Sequence, residues 1–218
     1  MFSELDSTIF PDSCEVIEIV PSQHYVYPIF KNGSSSLHET QTLTGWNSFF
    51  NNEITEITCP ITVYLRDPQD RFVSGVNTFV QHCHRDFDNL DTNTILHFVK
   101  NYLFLNRHYA PQFFWLINLA RYSTAPLILQ NLDSINQIVD MNDSAGISPP
   151  TKDLLDQIKN CSGQRLELYM FLDQLLIDHI GQTVTFEQLI TEIKQQHTDL
   201  YNLIFQKSLT LINALPKT

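Results

Sequence analysis

Glycine is scarce in this chain, six in 218 residues, and no Gly-x-x-x-x-Gly-Lys-[Ser/Thr] run occurs. That absence excludes the Walker phosphate loop and disfavours ATP hydrolysis, because such a loop needs a glycine-rich arc ending in lysine. Cysteine is thin as well. Cys14, Cys59, Cys83 and Cys161 are widely spaced with no Cys-x-x-Cys pair, which argues against a zinc site or a dense disulfide framework. They are expected to be reduced and mostly buried. Basic residues are outnumbered, 13 Lys and Arg against 24 Asp and Glu, giving a formal charge of -11. Nucleic acid is a disfavoured partner, since neutralising phosphates needs surplus cations, and any anion site must be local. No window approaches the roughly eighteen apolar residues of a membrane span. The opening MFSELDSTIFPDSCEVIEIV lacks the basic and continuous apolar regions of an export signal. The expectation is a soluble cytoplasmic protein of unknown oligomeric state.

What is present is enough apolar residue, 43%, for one sizeable core. The expectation is a single domain over 1–218, with an α/β core at 20–150 and a helical C-terminal part at 151–218. HYVYPIF, residues 24–30, reads as a strand, followed by a Lys-Asn-Gly turn and then SSSLHETQTL as a helix start. CPITVYLRDPQDRFVSGVNTFVQHC repeats that grammar. A β-branched run at 61–65 precedes Asp67 as N-cap and Pro68 at the first helical position. TAPLILQ, 124–130, suggests a third strand, with SINQIVDM helical after it. Strands alternating with helices predict a central parallel sheet flanked by helices. DTNTILHFVKNYLFLN reads as helix and NRHYAPQ as loop, because Pro111 disfavours helix at Ala110. MNDSAGISPPT is the one linker-like piece. From residue 164, Leu168, Phe171, Leu172, Leu175 and Leu176 form an apolar helical stripe.

A loop leaving a parallel strand into a helix offers free N–H groups and the positive end of the helix dipole to an anion. Gly33 permits close backbone approach, Lys31 adds a charge, and Ser34, Ser35 and Ser36 add hydroxyls without bulk. Ordinary turn and cap chemistry is the competing reading of such a loop. Arg66 at the end of the second strand and Ser74 on the next helix supply a second group suited to phosphate.

Together PIFKNGSSS and, some thirty residues later, VYLRDPQDRFVSG resemble the two phosphate motifs of sulfotransferases that use 3′-phosphoadenosine 5′-phosphosulfate (PAPS). NRHYAPQ is similar to a His-aromatic-x-Pro-Gln segment of the carbohydrate sulfotransferase branch. The resemblance covers residues 20–150 and implies a P-loop-like three-layer fold. It implies sulfuryl transfer to a hydroxyl of a carbohydrate or similar acceptor, with PAPS as co-substrate and no metal required. By that resemblance Lys31, Asn32, Gly33, Ser34, Ser35 and Ser36 hold the 5′-phosphosulfate end, and Arg66 and Ser74 the 3′-phosphate. Lys31 would stabilise the leaving oxygen and His108 would act as base, with Glu39 and Glu53 as other candidates. The residues alone leave two alternatives open: a non-catalytic descendant that binds or interacts, and a nucleotide or small-molecule kinase.

Arg71, three residues before Ser74 on the same helix face, could support the phosphate or pair with Asp67 or Asp70, the ion pair being the expectation. His82 and His84 diverge by about 200° on a helix and suit a surface pair better than a chelate. Trp46, Phe49 and Phe50 are candidates for core packing or for lining a sugar cleft.

Overall fold

Strand β4, Ile61–Leu65, is buried at every position, as a β-branched and aromatic run is when both faces of a sheet are covered. It lies in the middle of the molecule. The computed structural model describes residues 14–19, 24–29, 31–44, 47–50, 54, 57–86, 91–101, 103–104, 106–137, 152–157, 163–199 and 201–202. Among them β4 pairs in parallel with β2, His24–Val26, on one side and with β5, Leu127–Asn131, on the other. These are the three strands expected from sequence. Three further strands make the sheet mixed. β1, Glu15–Ile19, runs antiparallel to β2, and β3, Asn47–Phe50, antiparallel to β1. At the far edge β6, Thr183–Val184, is antiparallel to β5. The order is β3-β1-β2-β4-β5-β6, so the fold is α/β with a sheet that is parallel only in its middle.

Side chains alternate between the two faces with the period of a strand. Val16, Ile61, Val63, Leu65, Leu127 and Leu129 enter one core cluster, whereas Ile17, Val26 and Tyr64 enter another. The second face is covered by Leu37 of α1, Ser34–Thr44, and by Ile135 of a 3₁₀ segment, Leu132–Gln137. Sequence predicted an α-helix at 134–141; the described part is 3₁₀, and 138–141 lies outside the described residues. The first face is covered by α4, Gln112–Ala120, a helix not anticipated from sequence. Two C-terminal helices join it: α5, Gly163–Asp178, and α6, Phe186–Gln196. Leu172, Leu175 and Leu176 of the expected stripe are buried there, with Leu168 and Phe171 half-buried. The helical C-terminal part therefore completes the same core as the strands.

Helix α2, Pro68–Asp86, begins where sequence placed it. Asp67 Oδ1 accepts from the Asp70 N–H at 2.9 Å, the hydrogen bond of an N-cap. It packs with α3, Thr92–Asn101, through Phe79 and Phe98, whose rings stack 5.2 Å apart. Cys14 and Cys83 are buried, Cys59 is exposed and all three are free thiols, while Cys161 lies outside the described residues. No helix among the described residues is long and apolar enough to cross a membrane.

Candidate functional site

The chain leaves β2 and β4 toward opposite faces: α1 follows β2 onto one, and the segment after β4 reaches the other through α4. Adjacent parallel strands whose connections diverge in this way leave a crevice outside their carboxyl ends, the usual ligand position in open α/β sheets. Lys31 to Ser36 follow β2 there, and Arg66 follows β4.

The first loop is built from backbone conformation. Lys31 has φ 69° and Gly33 φ 75°, so the chain passes twice through the left-handed region that glycine tolerates and lysine enters at a cost. The turn aims α1 so that the N–H groups of Gly33, Ser34 and Ser35, ahead of the helical ladder, have no hydrogen-bond partner among the described residues. Ser35 is exposed, whereas Ser34 and Ser36 are buried. Asn32, expected to face the ligand, faces inward. It is 1% exposed, and its Nδ2 donates to the Tyr64 carbonyl at 2.8 Å and to Gln112 Oε1 at 2.5 Å. Both of its donors are engaged in holding the loop to β4 and α4.

Lys31 reaches across to α2. Its Nζ donates to Thr78 Oγ1 at 2.7 Å, and that hydroxyl donates to the Ser74 carbonyl at 3.1 Å. The two sequence motifs thus meet, through a threonine that sequence reasoning passed over. Ser74 is half-buried one turn before Thr78. The Arg66 guanidinium is half-buried and has no hydrogen-bond or ion-pair partner among the described residues. Desolvation, followed by the charges of Arg66 and Arg71, lowers the Lys31 pKa. Cations converge on this crevice in an otherwise acidic protein, and a bound anion would relieve their repulsion.

His108 comes to the same region by close packing. A Cβ on Gly75 of α2 would lie 2.0 Å from the His108 carbonyl oxygen, so the NRHYAPQ loop rests directly on the helix where a side chain is missing. The His108 side chain is buried, with its ring centroid 5.0 Å from that of His82. Burial, then the charges of His82, Arg107 and Lys31, pushes its pKa down to about 3. The imidazole is neutral at pH 7 and a weak proton acceptor. His82 is half-buried against it, and the side chain of His84, the other half of the expected surface pair, lies outside the described residues.

Arg71 departs from expectation. It is fully buried and turns away from Asp67 and Asp70: one terminal nitrogen donates to the Ala110 carbonyl and to Tyr169 Oη, the latter at 3.2 Å. Its charge lowers the pKa of the buried Asp173 carboxyl, but desolvation is larger and raises it on balance. Its partners are thus a backbone carbonyl and a phenol of α5, with the buried Asp173 acting on it as a nearby charge, rather than the exposed acids on its own helix. Glu39 is exposed on α1. Phe49 and Phe50 lie on β3, separated from β4 by two strands and paired with Val16 and Glu15, so their backbone belongs to the sheet edge rather than to the crevice. Trp46 and Glu53 lie outside the described residues.

Gln112 and Asp173 are both fully buried polar residues. Sequence reasoning quoted Gln112 within the His-aromatic-x-Pro-Gln segment without giving it a role, and missed Asp173. An apolar cleft of about 390 Å³ lies elsewhere, between the end of α4 and the start of α6 with Leu119, Leu127, Phe186 and Ile190 in its wall. It opens near the beginning of β5, the opposite end of the parallel strands from Lys31. No family model, curated protein or solved structure matches this sequence.

Proposed function

We propose that this protein is a sulfotransferase with a P-loop-like three-layer core, moving a sulfuryl group from PAPS to a hydroxyl of a carbohydrate or similar polar acceptor. One observation carries the reading: Lys31, in the loop after β2, is bonded at 2.7 Å to Thr78, one turn beyond Ser74 on the helix after β4. Two segments that resemble the 5′- and 3′-phosphate motifs of PAPS enzymes thereby share one electropositive crevice.

In this reading the acceptor oxygen attacks sulfur as the bond from sulfur to the bridging phosphate oxygen breaks, 3′-phosphoadenosine 5′-phosphate departs with that electron pair, and the acceptor hydroxyl's proton passes to the departing phosphate or to water. The protein's task is positioning and charge stabilisation. Lys31, already partly desolvated, would meet the charge on the bridging oxygen, with the N–H groups of Gly33, Ser34 and Ser35 beside it; one such donor is worth about 3–4 kcal/mol of barrier. Arg66 and Ser74 would hold the 3′-phosphate. With its pKa near 3, His108 orients the acceptor hydroxyl as a hydrogen-bond acceptor better than it carries a proton away. That weak basicity is also the observation that favours the second reading, a protein that binds the nucleotide without turning it over.

The test is calorimetric titration with 3′-phosphoadenosine 5′-phosphate beside AMP and ATP, repeated with Arg66→Ala. Selective binding of the bisphosphate is expected, weakened in the variant by about 1.5–3 kcal/mol for the lost charged hydrogen bonds. Equal binding of ATP, or no binding, overturns the assignment. If the nucleotide binds, transfer of labelled sulfate to a panel of sugars separates the enzyme from the binding protein.

A further inference from the structure

The buried amide of Gln112 sits between the two phosphate motifs, and all four of its hydrogen-bonding positions are used. Oε1 accepts from Asn32 Nδ2 at 2.5 Å and from the Arg66 N–H at 2.9 Å. Nε2 donates to the Arg66 carbonyl at 2.9 Å and to Asp173 Oδ2 at 3.2 Å. The orientation is not arbitrary. A backbone N–H can only donate and a backbone carbonyl can only accept, so Arg66 fixes which end of the Gln112 amide is oxygen. The Tyr64 carbonyl fixes the Asn32 amide in the same way. Arg66 is thus gripped on both sides of its own Cα, as a neighbouring strand would grip it, beyond the point where β4 ends.

Asp173 completes the network. Its Oδ1 accepts from the Phe113 N–H at 3.1 Å at the start of α4, while Oδ2 takes the Gln112 side chain. Asp173, Gln112 and Asn32 are at most 1% exposed, so the bonds among them and to Tyr64 and Phe113 do not compete with water, and each broken one leaves a buried group unsatisfied. A helix from the C-terminal part therefore reaches, through one glutamine, both the loop at 31–36 and the residue that follows β4.

We infer that Gln112, oriented by Asp173, is a positioning residue that sets the spacing between the anion loop at 31–36 and Arg66, making α5 an integral part of the binding site. The inference rests on the nucleotide reading for its functional consequence, while the mechanical clamp is testable without any ligand.

The experiment compares wild type, Asn32→Ala, which cuts the loop from the clamp, and Gln112→Met, which keeps the side-chain volume and removes the amide. Hydrogen–deuterium exchange of the ligand-free proteins is read for the two loop N–H groups that have partners, at positions 32 and 37, and for β4 and β5, and each protein is titrated with 3′-phosphoadenosine 5′-phosphate. Asn32→Ala removes both side-chain hydrogen bonds of the loop and Gln112→Met the one that reaches the amide, and each is expected to speed exchange at those two positions roughly tenfold, with β4 and β5 unchanged in Asn32→Ala. Nucleotide affinity should fall by about the same factor, and the double variant should be no worse than the poorer single one. Unchanged loop exchange in Asn32→Ala overturns the clamp, whether or not Gln112→Met folds. A wild type that binds no nucleotide refutes the functional assignment alone, and the exchange data still decide the clamp.

Discussion

Alanine is the better helix former, so replacing the buried Gly75 in the interior of α2 should stabilise that helix by about 1 kcal/mol if nothing else intervened. The structure predicts the opposite sign. The added Cβ would stand 2.0 Å from the His108 carbonyl oxygen, 2.7 Å from its carbon and 2.9 Å from Tyr109 Cα. All three atoms are backbone, so no rotamer change clears the space. The loop itself is tied down by hydrogen bonds from the His108 N–H to Asn106 Oδ1 and from the Ala110 N–H to the Asn106 carbonyl. Relief requires separating α2 from the loop by about an ångström, an overpacking cost of about 3 kcal/mol or more at the upper end of the usual range. The net expectation is a loss of about 2 kcal/mol, or about 4–8 °C in Tm for a protein of this size. Urea and thermal unfolding of Gly75→Ala beside Gly181→Ala would measure it. Gly181 has φ +85° and no atom within 4 Å of a built Cβ, so its loss, about 1 kcal/mol, comes from conformation alone. A Gly75→Ala protein as stable as wild type, or more so, would refute the close approach of the NRHYAPQ loop to α2.

Two further outcomes follow from the buried charges. The folded pKa of His108, about 3, lies below the ordinary 6.5. Its neutral form is therefore favoured by folding, and its contribution is fully present above pH 6.5 and lost as pH falls toward 3. Between pH 7.5 and 5 wild type should lose about 2 kcal/mol more than His108→Gln in denaturant titrations; equal pH dependence of the two would show that the imidazole is not desolvated. Arg71→Met should lower stability by about 1–3 kcal/mol at pH 7, because it leaves the Ala110 carbonyl without its buried donor and removes the charge that favours the ionised Asp173 carboxyl. That deficit should narrow as pH falls, because the carboxyl, whose pKa burial raises, then takes up a proton more readily than an exposed aspartate. A deficit independent of pH would mean that Arg71 contributes packing and not charge.

Local chemistry carried far in this protein. The run ITVYL, the Asp67-Pro68 helix start and the Lys-Asn-Gly turn each state their conformation through neighbours within a few residues, and β4, α2 and the loop before α1 stand where those signals put them. The central parallel strands follow from the alternation of strand and helix. The candidate anion residues were legible as a loop and a strand end with suitable chemistry, because charge, hydroxyls and a left-handed glycine are properties of the residues themselves.

What tertiary structure decided are the pairings between distant segments. Antiparallel β1, β3 and β6 gain their identity from the strands they join, and α4, uniformly apolar over FFWLI, shows no polar face from which a helical period could be read. Arg71 looked like a surface cation because its sequence neighbours are acids, yet Ala110, Tyr169 and Asp173 arrive from 39 residues away or more. The same holds for the site. Lys31 and Thr78 are 47 residues apart and Gln112 and Asp173 are 61 apart, and a hydrogen bond across such a separation exists only once the core has closed. Sequence alone determined which residues could attract an anion; the packing of α2, α4 and α5 around the ends of β2 and β4 determined which of them face the crevice and which hold it in shape.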